Sequence, residues 1–178
     1  MTDKTEQKIL DAALKIFAEK GYKGATTRAI AAKADVNDST LFRKFQTKQN
    51  LFSSVMQHNY QKMIEGFRLI LSENEFKSQK DFLETLITNL MILGQNNSEF
   101  IKITLNENQR IPSNFLEEFV NHLSAYVEKN IPHKDIDYKI FVFSILSFIY
   151  LLILDYGGAF PDRDKAIETF IDNTVKFF

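Results

Sequence analysis

Cysteine and tryptophan are absent from this 178-residue chain, proline occurs three times and glycine six. The lack of cysteine excludes disulfides and any thiolate metal site. So few turn formers suit packed helices better than a protein of many short strands. Long apolar runs are missing too. The longest uncharged stretch, Ile140 to Leu154, has 15 residues and contains Ser144 and Ser147, whereas a membrane-spanning helix needs roughly 20. A buried helix is expected there, and no membrane partner. The opening "MTDKTEQKIL" has neither the apolar core nor the small-residue cleavage site of a signal peptide, which points to a cytoplasmic protein. Without export, the acceptor-like "NNS" at Asn96 carries no meaning.

Signals of catalysis are equally scarce. His58, His122 and His133 are scattered without metal-ligand spacing, and there is no phosphate-binding glycine loop or nucleophile motif. A non-enzyme with no cofactor and no metal is therefore expected.

What the chain does hold is apolar mass, 44% of residues with 17 Phe among them. That is enough for one substantial core, or for a small domain fused to a larger one. Charge divides unevenly. Through residue 57 there are ten Lys and Arg against six Asp and Glu, a balance of +4; the remainder has twelve against seventeen, a balance of −5. A small basic unit that meets a polyanion, joined to a larger acidic one with another task, fits this split.

The basic part reads as three helices. From Lys4 to Lys20 apolar residues fall at Ile9, Ala13, Ile16 and Phe17, with Gly21 placed to stop the helix. Thr26 is a good N-cap for a second helix with the short stripe Ile30, Ala31 and Ala34. Asp35 can take the left-handed turn geometry that glycine more often supplies, Val36 plugs the turn, and Asn37 caps a third helix. Leu41 and Phe45 face inward on it; Asp38, Ser39, Arg43 and Lys44 face outward. Helices this short are not stable alone. They need a shared core of Ile9, Phe17, Ile30, Ala31, Val36, Leu41 and Phe45, which makes a helix-turn-helix unit with one free outer face. Thr47 then caps a long fourth helix carrying Leu51, Val55, Met63, Phe67 and Leu71.

Beyond residue 75 the pattern stays helical. Ser78 opens a segment closed by Gly94, Ser98 opens another, and a third runs between Pro112 and Pro132. An apolar stretch follows from Tyr138 to Tyr156, stopped at Gly157, and a last helix follows Pro161. The fold class expected is all-α, with about nine helices.

The stretch "ILDAALKIFAEKGYKGATTRAIAAKADVNDSTLFRKFQTKQNLF", Ile9 to Phe52, resembles the TetR family of bacterial transcriptional repressors. It carries "KGY" at the end of the first helix, then "TT", "IA", a short turn, "STLF", "F", and "K" before "LF". The resemblance covers about the first third of the chain. It implies a helix-turn-helix DNA-binding domain over residues 1–47 and an effector-binding and dimerisation domain over 48–178. It further implies a homodimer whose third helices enter successive major grooves of a palindromic DNA operator, released when a small-molecule effector moves the fourth helix.

On this reading Thr26 and Thr27 hold a phosphate at the start of the second helix, where free N–H groups and hydroxyls gather. By resemblance Arg28 is placed for guanine and Lys48 for a phosphate. Asp38, Ser39, Thr40, Arg43 and Lys44 form the exposed part of the recognition helix. Two departures stand out: Asp35 occupies the turn position that is commonly Gly, and Phe42 the place of a phosphate-binding Tyr. Phe42 either packs against the sugar-phosphate backbone or fills the core. Asp38 repels phosphate but can accept from a cytosine amino group.

In the second part, a helix apolar on all sides needs cover beyond its own chain, and a partner subunit is the economical cover. By resemblance the two final helices pair with their mates as a four-helix bundle, with Phe148, Leu151, Leu152, Ile167, Phe170, Ile171, Thr174 and Phe178 at the interface. An apolar or amphipathic effector would be lined by a subset of Met63, Phe67, Phe82, Met91, Phe100, Ile103 and Phe119, with Asn89, Asn106, His122 and Tyr126 as polar candidates. Two other readings stay open: a DNA-binding dimer without an effector, and a helical lipid carrier or enzyme with a vestigial DNA-binding motif.

Overall fold

A computed structural model describes residues 3–72, 75–107, 115–154, 158 and 160–176. Among them are nine helices and no strands. These are α1 (Lys4–Gly24), α2 (Thr27–Lys33), α3 (Asp38–Phe45), α4 (Lys48–Ile70), α5 (Gln79–Asn96), α6 (Ser98–Asn106), α7 (Phe115–Asn130), α8 (Tyr138–Leu154) and α9 (Arg163–Val175). The fold is thus all-α, and the helices begin close to the expected caps. Asp3, Thr26 and Asp162 each accept a backbone N–H with the side chain, and Thr47 accepts that of Asn50 at 3.0 Å. The cap expected of Asn37 differs: its side chain makes no capping bond, and its carbonyl alone receives Thr40 and Leu41.

Gly21 interrupts α1 at φ 65°, as expected of it, and a further turn follows to Gly24. A second glycine acts differently from its expected role as a stop. Gly94 is buried within α5, which continues to Asn96. The expected stop at Gly157 lies outside the described residues, as does Pro112.

The chain forms two compact units. One comprises Met1–Ile64 with Asn97–Ile111, the other Glu65–Asn96 with Pro112–Phe178. The first therefore extends past the boundary at residue 47 suggested by the resemblance, and it recruits α6, which packs along α1. The reason is visible in the burial pattern. Leu51, Phe52 and Val55 of α4, and Phe100 and Ile103 of α6, are almost fully buried beside Ile9, Phe17, Ile30 and Leu41. Phe17 meets Phe52 edge-on at 5.1 Å between ring centroids. Val36 is only half-buried, so it covers the turn without entering the core.

In the second unit α8 packs against α5 and α7, and α9 against α5. Leu83, Ile87, Leu123, Val127, Val142 and Ile145 form its centre. Gly66 allows a close approach, since a Cβ there would lie 2.7 Å from Leu93 Cδ1. No helix among the described residues is long and apolar enough to cross a membrane.

Candidate nucleic-acid interface

The α2–turn–α3 segment builds a face from the inside out. Ile30, Ala31, Leu41 and Phe45 are buried, so the residues between them on each helix turn outward by helical periodicity. Asp35 takes φ 55°, the left-handed geometry expected of it, and the turn is fixed as Asp35 N donates to Ala32 O and Val36 N to Ala31 O. A second left-handed residue, Gln46 at φ 63°, ends α3. Nothing in its residue type signals this.

The face brings together most of the expected residues. Thr26 is exposed and its Oγ1 accepts Ala29 N at 3.2 Å; Thr27 and Thr40 are half-buried. Arg28, Asp38, Ser39 and Arg43 are exposed, and among the described residues neither arginine has a hydrogen-bond or ion-pair partner. Phe42 is 48% exposed, which overturns the core-filling alternative and leaves an aromatic ring on the outer surface.

The two lysines of the set are engaged within the chain. Lys44 Nζ pairs with the carboxylate of Asp3, and this pairing, aided by the Glu6 N–H, holds the exposed Asp3 carboxyl below its ordinary value. Lys48 Nζ donates to Tyr22 O at 2.9 Å and Ala25 O at 3.0 Å, and stands 4.5 Å over the Tyr22 ring. Its ammonium thus caps the end of α1. That leaves one of its three donors for anything else.

The residues singled out for an effector pocket do not share one fate. Met63, Phe100, Ile103 and Asn106 belong to the first unit; Phe67, Phe82, Asn89, Met91, Phe119, His122 and Tyr126 belong to the second. Phe82, Phe100 and Ile103 are each 1% exposed and function as core. Phe67 and Phe119 meet tilted with ring centroids 4.2 Å apart, and Phe82 meets Tyr126 at 5.7 Å. His122 is a correction: it is exposed, with Nδ1 2.8 Å from Glu118 O one turn earlier. Asn106 is likewise exposed, while Asn89 is half-buried. Two open grooves border α9 in the second unit, one over Met91, Ile92, Ile167 and Ile171, the other over Phe148, Phe160 and Phe170.

The interface candidates also divide. Leu152, Ile171 and Thr174 are buried within the chain, the Thr174 hydroxyl donating to Phe170 O at 2.7 Å. They are core, because the helix faces they occupy turn toward neighbouring helices of the same unit. Phe148 and Phe170 are half-buried and stack on each other at 4.2 Å. Ile167 is half-buried, Leu151 is exposed, and Phe178 lies outside the described residues. Ile140 and Phe143, 69% and 54% exposed, continue the Leu151 face of α8 and were not among the expected interface residues. Their spacing of three and eleven residues was the available signal.

Comparison with known proteins bears on this arrangement. Residues 9–55 match the family model described as "Bacterial regulatory proteins, tetR family". The chain is 34% identical over 123 residues to the HTH-type transcriptional regulator YvkB of Bacillus subtilis, covering 68% of this chain and 59% of that one. The chain belongs to the tetR family. It is also 30% identical over 109 residues to the HTH-type transcriptional repressor NicS of Pseudomonas putida, covering 60% of this chain and 49% of the other. It therefore spans about half to three fifths of the length of these relatives. Among solved structures, the transcriptional regulator FadR of Bacillus subtilis in complex with stearoyl-CoA superposes with a TM-score of 0.68 at 20% identity, over 93% of this chain and 95% of that one. That likeness extends the family's fold to both units.

Proposed function

We propose that this chain is a ligand-responsive transcriptional repressor that binds a palindromic operator as a homodimer. The observation that carries the reading is the outer face of α2 and α3, where Arg28 and Arg43 stand exposed beside Thr26, Ser39 and Phe42, without a partner among the described residues. Unpaired guanidiniums on a short surface helix suit bidentate contacts to guanine edges and phosphates. Thr26 and Thr27 meet a phosphate at the start of α2. Asp38 and Thr40 border the bases, Phe42 packs on the sugar-phosphate backbone, and Lys44 exchanges Asp3 for a phosphate. Lys48 offers its remaining donor while pinning the corner behind it.

The dimer is supported by the exposed apolar stripe Ile140, Phe143 and Leu151. The intervening Ser144 and Ser147 hydroxyls are satisfied by Phe141 O and Phe143 O, so burying them leaves no polar group unpaired. Functionally, residues 1–47 read DNA and 48–178 hold the effector and the partner, even though the compact units divide elsewhere. The stearoyl-CoA carried by the FadR neighbour supports an amphipathic, acyl-chain effector.

The test is selection of duplexes from a random pool by the full chain, followed by fluorescence anisotropy on the winners. A palindrome with half-sites about one helical turn apart is expected, with affinity falling steeply between about 50 and 200 mM salt. Acyl-CoAs of increasing chain length are then titrated into the complex. Failure to enrich any duplex refutes the DNA reading; enrichment without release by any acyl-CoA refutes the effector class.

A further inference from the structure

One corner of the DNA-facing unit is held by a residue that lies far from the DNA-reading motif in sequence. Gly21 takes φ 65°, ψ 172° inside α1, a combination essentially reserved for glycine. The helix breaks there, and a fresh turn leads through Tyr22 to Ala25, closed by Ala25 N donating to Gly21 O at 3.1 Å. The first N–H groups of a new turn point away from their own helix and call for an outside acceptor. Glu107, at the end of α6, supplies one: its Oε1 accepts Tyr22 N at 2.8 Å. The same oxygen lies 3.2 Å from where a Cβ on Gly21 would stand, so the glycine also gives the carboxylate room.

At the other end of the turn Lys48 Nζ takes Tyr22 O and Ala25 O. An anion caps the amino end and a cation the carbonyl end, the signs that a helical turn's dipole favours. The Tyr22 side chain is held as well, its ring 5.2 Å edge-on from Phe52 and 6.0 Å from Phe17. Directly after this clamped turn come Thr26, which caps α2, then Thr27 and Arg28.

We propose that Glu107 is a positioning residue for the DNA-reading face. By gripping the Tyr22 N–H while Lys48 grips the Tyr22 carbonyl, it sets the direction in which the chain leaves α1 and enters α2. The placement of Thr26, Thr27 and Arg28 follows from that direction. The inference rests on the reading above that this face meets DNA, and it adds the residue that caps α6, acting through Tyr22 rather than on the nucleic acid itself.

The test uses the full chain and two variants. Glu107→Met keeps the reach of the side chain without a strong acceptor; Glu107→Gln keeps an acceptor oxygen without the charge. Amide hydrogen exchange over residues 20–26 is followed without DNA, and anisotropy is followed on a duplex selected by the unaltered chain, across the same salt range. Glu107→Met is expected to exchange faster and to bind about tenfold more weakly with a parallel salt slope, as the loss of one charge-assisted hydrogen bond predicts. Glu107→Gln is expected to stay within about threefold of the unaltered chain in both readouts. Should Glu107→Met fail to fold, Glu107→Asp, which retracts the carboxylate by one methylene, carries the same comparison. Unchanged exchange, or faster exchange with unchanged affinity, overturns the proposal, and so does a Glu107→Gln variant as weak as Glu107→Met. If the unaltered chain selects no duplex, the DNA reading itself has failed; if it selects one and the variants do not differ, only the role of Glu107 has.

Discussion

The outer faces of α3 and α8 are built on opposite terms. On α3 the exposed positions are polar or cationic with a single ring, Phe42, among them, and the inner face is two buried residues, Leu41 and Phe45. On α8 both faces are apolar: Val142, Ile145, Ile149 and Leu152 are buried, yet Ile140, Phe143 and Leu151 stand in solvent. The first face needs no cover, and among the described residues the Arg43 guanidinium on it has no ion-pair partner. The second is left with exposed apolar area that burial against another surface would stabilise at roughly 25 cal/mol per Å². On the proposed reading, salt releases the first helix from its partner, whereas the second stays paired.

The comparison is broken most forcefully by attacking what both faces stand on. Phe17, 1% exposed and in ring contact with Phe52, anchors the core behind α2 and α3. Phe17→Ala should cost about 3–5 kcal/mol of stability, read as a lower urea midpoint with DNA binding lost through unfolding. Ile145→Ala, at the buried centre of α8, should cost about 2–5 kcal/mol by the same measure. A loss under 1 kcal/mol at either site would mean the cores are not where the burial pattern puts them.

Charging the outer face of α8 separates its two sides. Phe143→Asp should leave the helical content and the urea midpoint of the monomer nearly unchanged, because the residue is already 54% exposed. It should weaken self-association at least a hundredfold, as expected when a central apolar contact is replaced by a charge. Sedimentation across micromolar concentrations reads this directly, and a variant that dimerises normally would remove α8 from the interface. Arg28→Ala probes the other face. It should relax discrimination at one base position by about 1–3 kcal/mol, and an unchanged preference across selected duplexes would return Arg28 to the solvated surface.

How much of this was legible in the sequence follows from the range of each signal. Caps, turn and stripe in the first 50 residues are local, so Thr26, Thr47, Leu41 and Phe45 could be assigned from their immediate neighbours. The same logic found Asp35, whose side chain tolerates positive φ, and missed Gln46, whose side chain gives no such hint. Glu107 escaped for a different reason: its partner is 85 residues away, and no local pattern marks a carboxylate that caps a distant turn. In the second unit apolar residues recur on every side of α8, and periodicity cannot say which side a neighbouring helix covers. Hence Leu152 and Ile171 were read as interface although they are core, while Ile140 and Phe143 were passed over. The Lys48 ammonium shows the limit of a resemblance: the position matches, but its bonds go to carbonyls of its own chain.

The smallest effect tests whether the exposed face of α3 is held in reserve by the chain itself. Asp3 caps α1 through the Glu6 N–H at 2.8 Å and pairs with Lys44. Asp3→Asn retains the cap, since asparagine serves there as well as aspartate, and removes only the charge. Lys44 then has no internal rival for a phosphate, so affinity for DNA should rise slightly and the salt dependence should steepen by up to one counterion. A pH measurement isolates the same pair without DNA. Lys44 holds the Asp3 carboxyl below its ordinary 3.8, so the stability it contributes is complete above that value and drains away as pH falls through the lower, folded one. The urea midpoint of Asp3→Asn should therefore lie slightly below that of the unaltered chain at neutral pH, and the gap should close in strong acid. A gap that persists unchanged at low pH would assign the effect to the cap rather than to the ion pair, and Lys44 would have to be counted among the cations already free to meet DNA.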